Sequence, residues 1–472
     1  MNPLLLLCYF ATWVAIPHLL LLKKRPTATL AWLWAILFVP FLGPLFYLLF
    51  GTDRLMRRRL KRRALFSSRP AGRAVPDGAT DEATAALVGT IPARDRRFLQ
   101  MLSRINQLPV SSVNELRILR DAEQFYPALE QRIREAKDHI HFEFYIWRND
   151  ETGTRFLRLL TEAARRGVTV RLLLDGVGSF GLWNRHFAGF RAAGGQLAWF
   201  QGLDPMRRRF VLNLRNHRKL QLIDGEFAYV GGMNIGREYE GLDPAYGHWR
   251  DVQAEVTGAI VPELQEVFAD DWFFATRQKI VPPPAPPMRA VQPVHIILGG
   301  PDRPNEPVSK SLVSLLHEAT LRVWIGTGYF VPDDVLLSAL ALAANRGVDV
   351  RLLVAVKNIP LGLVTVAHSY YDELLAAGVR IFEYAEGVNH AKIALADGQW
   401  GMVGSANCDY RSLRLNFELS LLFQSSQHNA VLTDIFEHDF AHCQEINAAK
   451  FARRPFRQKL AEAALRPLSP IL

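Results

Sequence analysis

Residues 216–234 read NHRKLQLIDGEFAYVGGMN, and residues 389–407 read NHAKIALADGQWGMVGSAN. In both stretches a Lys stands two positions after a His, an Asp five after the Lys and an Asn ten after the Asp. One His-x-Lys carries no information, whereas two full copies at matching places are a strong sign of duplication. KLQLID and KIALAD read as short apolar strands, on which residues two apart face the same side. His217 and Lys219 therefore project together into one cleft, as do His390 and Lys392. Asp224 and Asp397 stand at the strand ends, each before a Gly, where a turn can return the carboxylate as a hydrogen-bond partner. Gly231-Gly232 and Gly404-Ser405 let backbone approach closely just ahead of Asn234 and Asn407.

The repeat extends outward from these motifs. LLTEAARRGVTVRLLL (Leu159 to Leu174) is answered by LALAANRGVDVRLLV (Leu340 to Val354), each an apolar-periodic helix, a Gly stop and a β-branched strand. FRAAGGQLAWF (Phe190 to Phe200) is answered in the same order by LLAAGVRIFEY (Leu374 to Tyr384). Strands alternating with helices favour an α/β sheet covered on both faces, here twice, with pseudo-twofold symmetry. The Pro-dense stretch 281–293 divides the two halves, 96–280 and 294–472. Residues 64–95, rich in Ala, Gly, Ser and Pro, read as a linker.

The chain has 472 residues and a net charge of +10. Residues 1–63 hold ten Lys and Arg against the single acid Asp53, so nine of the ten net charges belong to the front end. The near-neutral remainder argues against nucleic acid as partner, because such binding draws heavily on cationic contacts to phosphates. Asn2 to Leu22 and Thr27 to Phe50 lack Asp, Glu, Lys and Arg, and each is long enough to cross a hydrocarbon core of about 30 Å. Lys-Lys-Arg after the first run does not suit a cleavage site, so a retained transmembrane hairpin is expected, with Pro40, Gly43 and Pro44 kinking its second helix. Seven basic residues after the second run, against three in the hairpin loop, put the bulk of the chain in the cytoplasm, at the inner membrane. The basic stretch from Arg57 to Arg63 would lie against anionic headgroups. Cys8, Cys408 and Cys443 show no paired spacing, so neither disulfides nor a zinc cluster is expected.

A pair of imidazoles and a pair of ammonium groups around one site suits phosphoryl transfer. Fixed cations stabilise the charge that builds on the non-bridging oxygens, one imidazole attacks phosphorus, and the other protonates the leaving alcohol. No carboxylate cage, P-loop or zinc spacing is evident, so no metal or other cofactor is expected.

The paired motifs resemble those of the phospholipase D superfamily, and the wider text is similar to the bacterial cardiolipin synthase family. That similarity is carried by RPTATLAWLWAILFVPFLGPLFYLLFG from Arg25, FEFYIWRND from Phe142, LLDGVGS from Leu173, GGMNIGREY from Gly231, HWRDV from His248, GYFVPDD from Gly328 and GSANCDYRSLRLNFE from Gly404. The resemblance implies two phospholipase D-like halves behind a membrane anchor, and transfer of a phosphatidyl group from one phosphatidylglycerol to another, giving cardiolipin and glycerol. It implies His217 as nucleophile and His390 as general acid and base, with Lys219 and Lys392 on the phosphate oxygens. Asn234, Asn407 and Ser405 would contact substrate, and Asp224 and Asp397 would orient or charge-balance the catalytic groups. Glu418 would serve the site or orient the His of the other half. A phospholipase-type hydrolase and, less favoured, a membrane-tethered nuclease share this chemistry. Outside the motifs, Arg207-Arg208-Arg209 is either a headgroup contact or a surface turn. Arg411 and Arg414 default to helix-face ion pairs, and Trp147, Trp249 and Trp272 to core or interface aromatics.

Overall fold

The computed structural model describes residues 3–21, 26–39, 41–47, 82–200, 215–281, 291–303 and 305–469. The basic stretch 57–63, most of the 64–95 linker, Arg207 to Arg209 and most of the Pro-rich break lie outside the described residues. The chain divides into two compact units, Met1–Pro70 and Ala71–Leu472.

In the first unit, α1 (Pro3–Leu21) and α2 (Pro26–Phe38) occupy the two apolar runs, and α3 (Leu42–Phe46) follows. His18 Nδ1 lies 2.7 Å from the Tyr47 hydroxyl, which ties the first run to the end of the second. The second run is broken outright, not merely kinked: Phe41 sits at φ 66° between α2 and α3. The 13 residues of α2 rise only about 20 Å at 1.5 Å per residue, short of a bilayer core. Among the described residues no helix is long and apolar enough to cross a membrane, so the expected spanning hairpin is not seen there.

The second unit is built on two large mixed sheets. In chain order the strands that bear on the site are β1 (His139–Phe144), β2 (Leu220–Ile223), β3 (Phe227–Gly231), β4 (Val252–Thr257), β5 (Arg322–Thr327), β6 (Ile393–Ala396), β7 (Trp400–Gly404) and β8 (Glu418–Gln424). The first sheet runs Glu115–Arg120, β4, β3, β2, β1, Thr169–Asp175, Gln196–Phe200. The second repeats this order as Gln292–Gly299, β8, β7, β6, β5, Asp349–Ala355, Arg380–Tyr384, and adds short edge strands Ser111–Val113 and Cys443–Glu445. Within these two sheets pairing is parallel from β1 to Gln196–Phe200 and from β5 to Arg380–Tyr384, where helices make the crossovers, and antiparallel elsewhere, the Cys443–Glu445 edge included.

β2 joins β3, and β6 joins β7, through Asp-Gly turns in which Asp224, Gly225, Asp397 and Gly398 all have positive φ. Three residues connect the paired strand ends, and the positive-φ Asp-Gly pair is closed by the Glu226 amide donating to the Ile223 carbonyl and the Gln399 amide to the Ala396 carbonyl.

The halves share one core. Leu220, Leu222, Ala228 and Val230 meet Leu395, Val403, Leu419 and Leu421 in a single buried cluster between the sheets. The outer face of each sheet is covered by helices, Phe156 and Leu160 on one side and Leu312 and Leu340 on the other. The front of the expected first half lies on the second-half sheet: Ser111–Val113 pairs with Gln292–Gly299, and Phe98, Leu99 and Leu102 join the second half's outer core. The end of the expected linker is helical, Glu82–Thr90, because its Ala-rich run is a good helix former.

Candidate active site

The residues leading into β2 and β6 cross to the opposite half. The His217 amide donates to the Phe417 carbonyl (2.9 Å), and the Phe417 amide donates to the Arg215 carbonyl (2.9 Å). On the other side of the dyad Gly387–Asn389 pairs in parallel with His248–Arg250, and the His390 amide donates to the Arg250 carbonyl (2.7 Å). Leu220 and Leu222, buried between the sheets, anchor the strand behind His217, and Ile393 and Leu395 do the same behind His390. Each His is therefore fixed to its own half by packing and to the other half by backbone.

Each imidazole is also held by a carboxylate from across the dyad. Glu418, the first residue of β8, places its oxygens 3.0 and 3.1 Å from His217 Nδ1. Asp251, just ahead of β4, places Oδ2 2.7 Å from His390 Nδ1. A carboxylate at Nδ1 fixes the ring and leaves Nε2 as the reactive nitrogen. The two supports differ in reach. The Ser405 hydroxyl donates to Glu418 Oε2 (2.5 Å) and accepts from the Leu419 amide (3.0 Å). At the matching place in the first half, a Cβ on Gly232 would collide with the Asp251 carboxylate, so glycine is required there.

Lys219 Nζ donates to the His217 carbonyl (2.7 Å), and Lys392 Nζ to the His390 carbonyl. Burial draws Lys219 down to about 7, Glu418 pulling it up and Lys392 pushing it further down. Burial likewise draws Lys392 down to about 8, against the pull of Asp251 and Glu418. Burial puts both imidazoles below their usual range, His390 well below, with Lys392 and Lys219 adding to the effect there. Burial pushes Glu418 up, but His217 and Lys219 outweigh it and hold the carboxyl below its usual range. Asp251 goes the other way, burial raising it to about 6. The two His–carboxylate pairs are thus alike in geometry, while their carboxyls are shifted in opposite directions.

Both imidazoles face one cavity of about 480 Å³, whose wall also includes Asn234, Asn407, Tyr145 and Trp249. Asn234 Oδ1 accepts from the Ile146 amide (3.0 Å) and its Nδ2 donates to the Tyr239 hydroxyl (3.2 Å). Trp249 is a wall residue, not core, with its ring centroid 5.4 Å from that of His390. Tyr145 meets His217 edge to face at 4.9 Å. Asp251, Tyr145 and Gly328 also stand at the site, and motif reading does not single them out. A Cβ at Gly328 would come within 3.3 Å of Asn407 Oδ1 and Lys392 Nζ and 3.4 Å of His390. Of the two arginines after Asn407, Arg411 lies on the cavity wall, while Arg414 pairs with Asp333 (2.6 Å) and Glu306.

Three expected site residues lie elsewhere. Asp224 and Asp397 do not approach the catalytic groups; β2 and β6 carry them to the far strand ends. There Asp224 accepts from the amides of Lys137, Asp138 and His139 (2.8–2.9 Å), and Asp397 from those of Thr320, Leu321 and Arg322 (2.7–2.9 Å). They clamp the entries to β1 and β5. Ser405 is fully buried against Glu418 and, like Glu418, Lys219 and Lys392 packed behind the histidines, is not part of the cavity wall; unlike them it touches neither imidazole nor its carbonyl. Among the described residues no group of three or more His, Cys, Asp or Glu is arranged to hold a metal ion.

The pattern of the family described as "Cardiolipin synthase, PLD-like domain" matches residues 129–272 and 312–440, and that described as "Phospholipase_D-nuclease N-terminal" matches residues 10–51. A cardiolipin synthase of Geobacillus thermodenitrificans (strain NG80-2) is 37% identical over 465 residues, covering 95% of this chain and 90% of that one. A cardiolipin synthase of Alkalihalophilus pseudofirmus is 34% identical over 456 residues, with the same coverage. The crystal structure of phosphatidylserine synthase from Haemophilus influenzae Rd KW20 aligns with a TM-score of 0.61 over 80% of this chain and 100% of that one. At 16% identity that likeness speaks for the fold alone. Duplicated motifs, interleaved halves and relatives matched over nearly their whole length agree: the chain belongs to the cardiolipin synthase family of the phospholipase D superfamily, and is an enzyme of the phosphatidyltransferase kind.

Proposed function

We propose that the protein joins two phosphatidylglycerol molecules into cardiolipin and glycerol through a phosphatidyl-histidine intermediate. The observation that carries this reading is the convergence of His217 and His390 on one cavity, each held at Nδ1 by the other half's carboxylate. Nε2 of His217 attacks phosphorus, and the bond to the glycerol headgroup oxygen breaks as His390 supplies its proton. A second phosphatidylglycerol then gives its terminal hydroxyl proton to His390, its oxygen attacks phosphorus, and the phosphorus–nitrogen bond breaks. Two features support this division of roles. The ionised Glu418 balances the positive charge that His217 gains on attack, and the Asp251 carboxylate at Nδ1 balances the charge on His390 whenever that ring holds the transferred proton. Lys219 and Lys392 hold the non-bridging oxygens. Asn234 and Asn407 present carboxamides to the same cavity, and a carboxamide nitrogen carries two hydrogens, so one bond within the fold leaves a second for substrate.

Residues 1–63 hold this site at the inner membrane with the catalytic halves on the cytoplasmic side. The two charge-free runs, the basic residues that follow them and the family match over residues 10–51 support that placement. Incubating the full-length protein with phosphatidylglycerol in mixed micelles tests the reaction. Cardiolipin and glycerol in equal amounts are expected, and phosphatidic acid as the main product would refute transfer in favour of hydrolysis.

A further inference from the structure

The cavity mouth is ringed by loops that expose large apolar side chains. The loop after strand Thr169–Asp175 presents Phe180 (72% exposed) and Trp183 (58%). The dyad-equivalent loop, after strand Asp349–Ala355, leads into the helix Leu361–Ala376, whose first residue Leu361 is 85% exposed. Both loops adjoin the site: Asn358 and Ile359, with Leu363 of the helix that follows, line the cavity, and Gly178 lies against the Tyr145 ring. A third loop, carrying Leu242 (57% exposed), is tied to the second because the Asn358 side chain donates to the Tyr246 carbonyl (3.1 Å). Exposed Arg185 stands beside Trp183, and exposed Lys357 stands four residues before Leu361.

Single exposed apolar residues are ordinary, but several around one mouth, contributed by equivalent loops of both halves, mark an interaction surface. Resting on the reading above, we propose that this rim is a docking surface for an anionic phospholipid bilayer, seating the catalytic unit so that headgroups enter the cavity directly from the membrane. Three observations favour a bilayer as occupant. The rim is continuous with a site that acts on lipid headgroups, its apolar tips are flanked by cations, and Trp suits the wet–apolar boundary of a membrane interface.

The molecule supplies its own control. Leu321 is 70% exposed but precedes β5, at the opposite end of the sheet from the cavity, and Leu342 is 62% exposed on helix Asp334–Asn345. Full-length protein carrying an environment-sensitive fluorophore on a single introduced cysteine, Phe180→Cys, Leu361→Cys or Leu321→Cys, with Cys8 and Cys443 replaced by Ser, is mixed with phosphatidylglycerol-rich vesicles containing brominated acyl chains. Labels at 180 and 361 should shift to the blue and lose at least half their emission, and the label at 321 should do neither. Equal quenching at 321, or none at 180 and 361, overturns the proposal. The readout is contact with lipid and not turnover, so it stands apart from the reaction assigned above. As a second arm, Phe180→Asp with Leu361→Asp should cut turnover of vesicle lipid at least tenfold more than turnover of the same lipid in detergent micelles. Equal loss in both forms contradicts a docking role.

Discussion

The Glu418 carboxylate, in the second half, lies 3.0 Å from Nδ1 of His217, in the first. Asp251 repeats the relationship in the opposite sense at 2.7 Å from His390. Neither half holds a supported histidine without the other, so duplication here produced one shared site.

Replacing the carboxylates by amides tests that support. Glu418→Gln or Asp251→Asn lets the ring take the wrong tautomer, and kcat should fall about 10²- to 10⁴-fold with the fold retained. Ser405→Ala removes one hydrogen bond to Glu418 and should cost about tenfold. Initial rates of product formation give the comparison, and rates within threefold of wild type would show that the carboxylates do not orient the rings.

The aspartates of the two motifs should behave differently. Each clamps three backbone amides ahead of β1 or β5, so Asp224→Ala and Asp397→Ala should each lower stability by roughly 1–3 kcal/mol. Turnover per folded molecule should stay within about threefold, since small changes are the rule for groups that do not touch the reacting atoms. Thermal unfolding alongside rates at low temperature separates the two effects. A hundredfold loss of rate at unchanged stability would return these residues to the chemistry.

Lysine protonation should set the pH dependence of anion binding. Lys219 is drawn down to about 7 and Lys392 to about 8, so the doubly charged site predominates below 7 and is lost as pH rises through 7 and then 8. A bound phosphate favours the ammonium forms, so binding above pH 7 takes up protons. Calorimetry of a soluble phosphodiester such as glycerophosphoglycerol, in two buffers of different ionisation heat at pH 7.5, should show uptake of about one proton, largely lost in Lys219→Met. Proton release would have the opposite sign and contradict this electrostatic picture.

Gly328 should tolerate no side chain of normal size. Its Cβ would sit 3.3 Å from Asn407 Oδ1 and Lys392 Nζ, so Gly328→Ala should lower kcat about tenfold and Gly328→Val should abolish turnover, both with thermal midpoints near wild type. A fully active Gly328→Val enzyme would mean that substrate phosphate does not occupy this space.

Much of this was legible in the sequence because it is local and doubled. The His-x-Lys pairs, the helix–Gly–strand units and the Asp-Gly hairpins each have a short-range signature, and each occurs twice. What lay beyond reading depends on which strands become neighbours. HWRDV was visible as a string, but only the pairing of His248–Arg250 with Gly387–Asn389 brings Asp251 to His390. Asp224 was misread because strand periodicity fixes the face on which a side chain lies, not the end of the sheet. Glu82–Thr90 was misread because Ala, Gly and Thr serve linkers and short helices alike. The membrane anchor stands as the least local expectation of all, since apolar length alone does not decide where a helix breaks.

The central claim, one shared site with a covalent histidine intermediate, is tested most directly by trapping. Full-length protein is mixed for milliseconds with headgroup-proximal ³²P-labelled phosphatidylglycerol, quenched in alkaline denaturant to spare the phosphorus–nitrogen bond, and mapped by peptide mass. One phosphatidyl group per chain, on His217, is the predicted result. Two groups per chain, one on each histidine, would show two independent sites and contradict it.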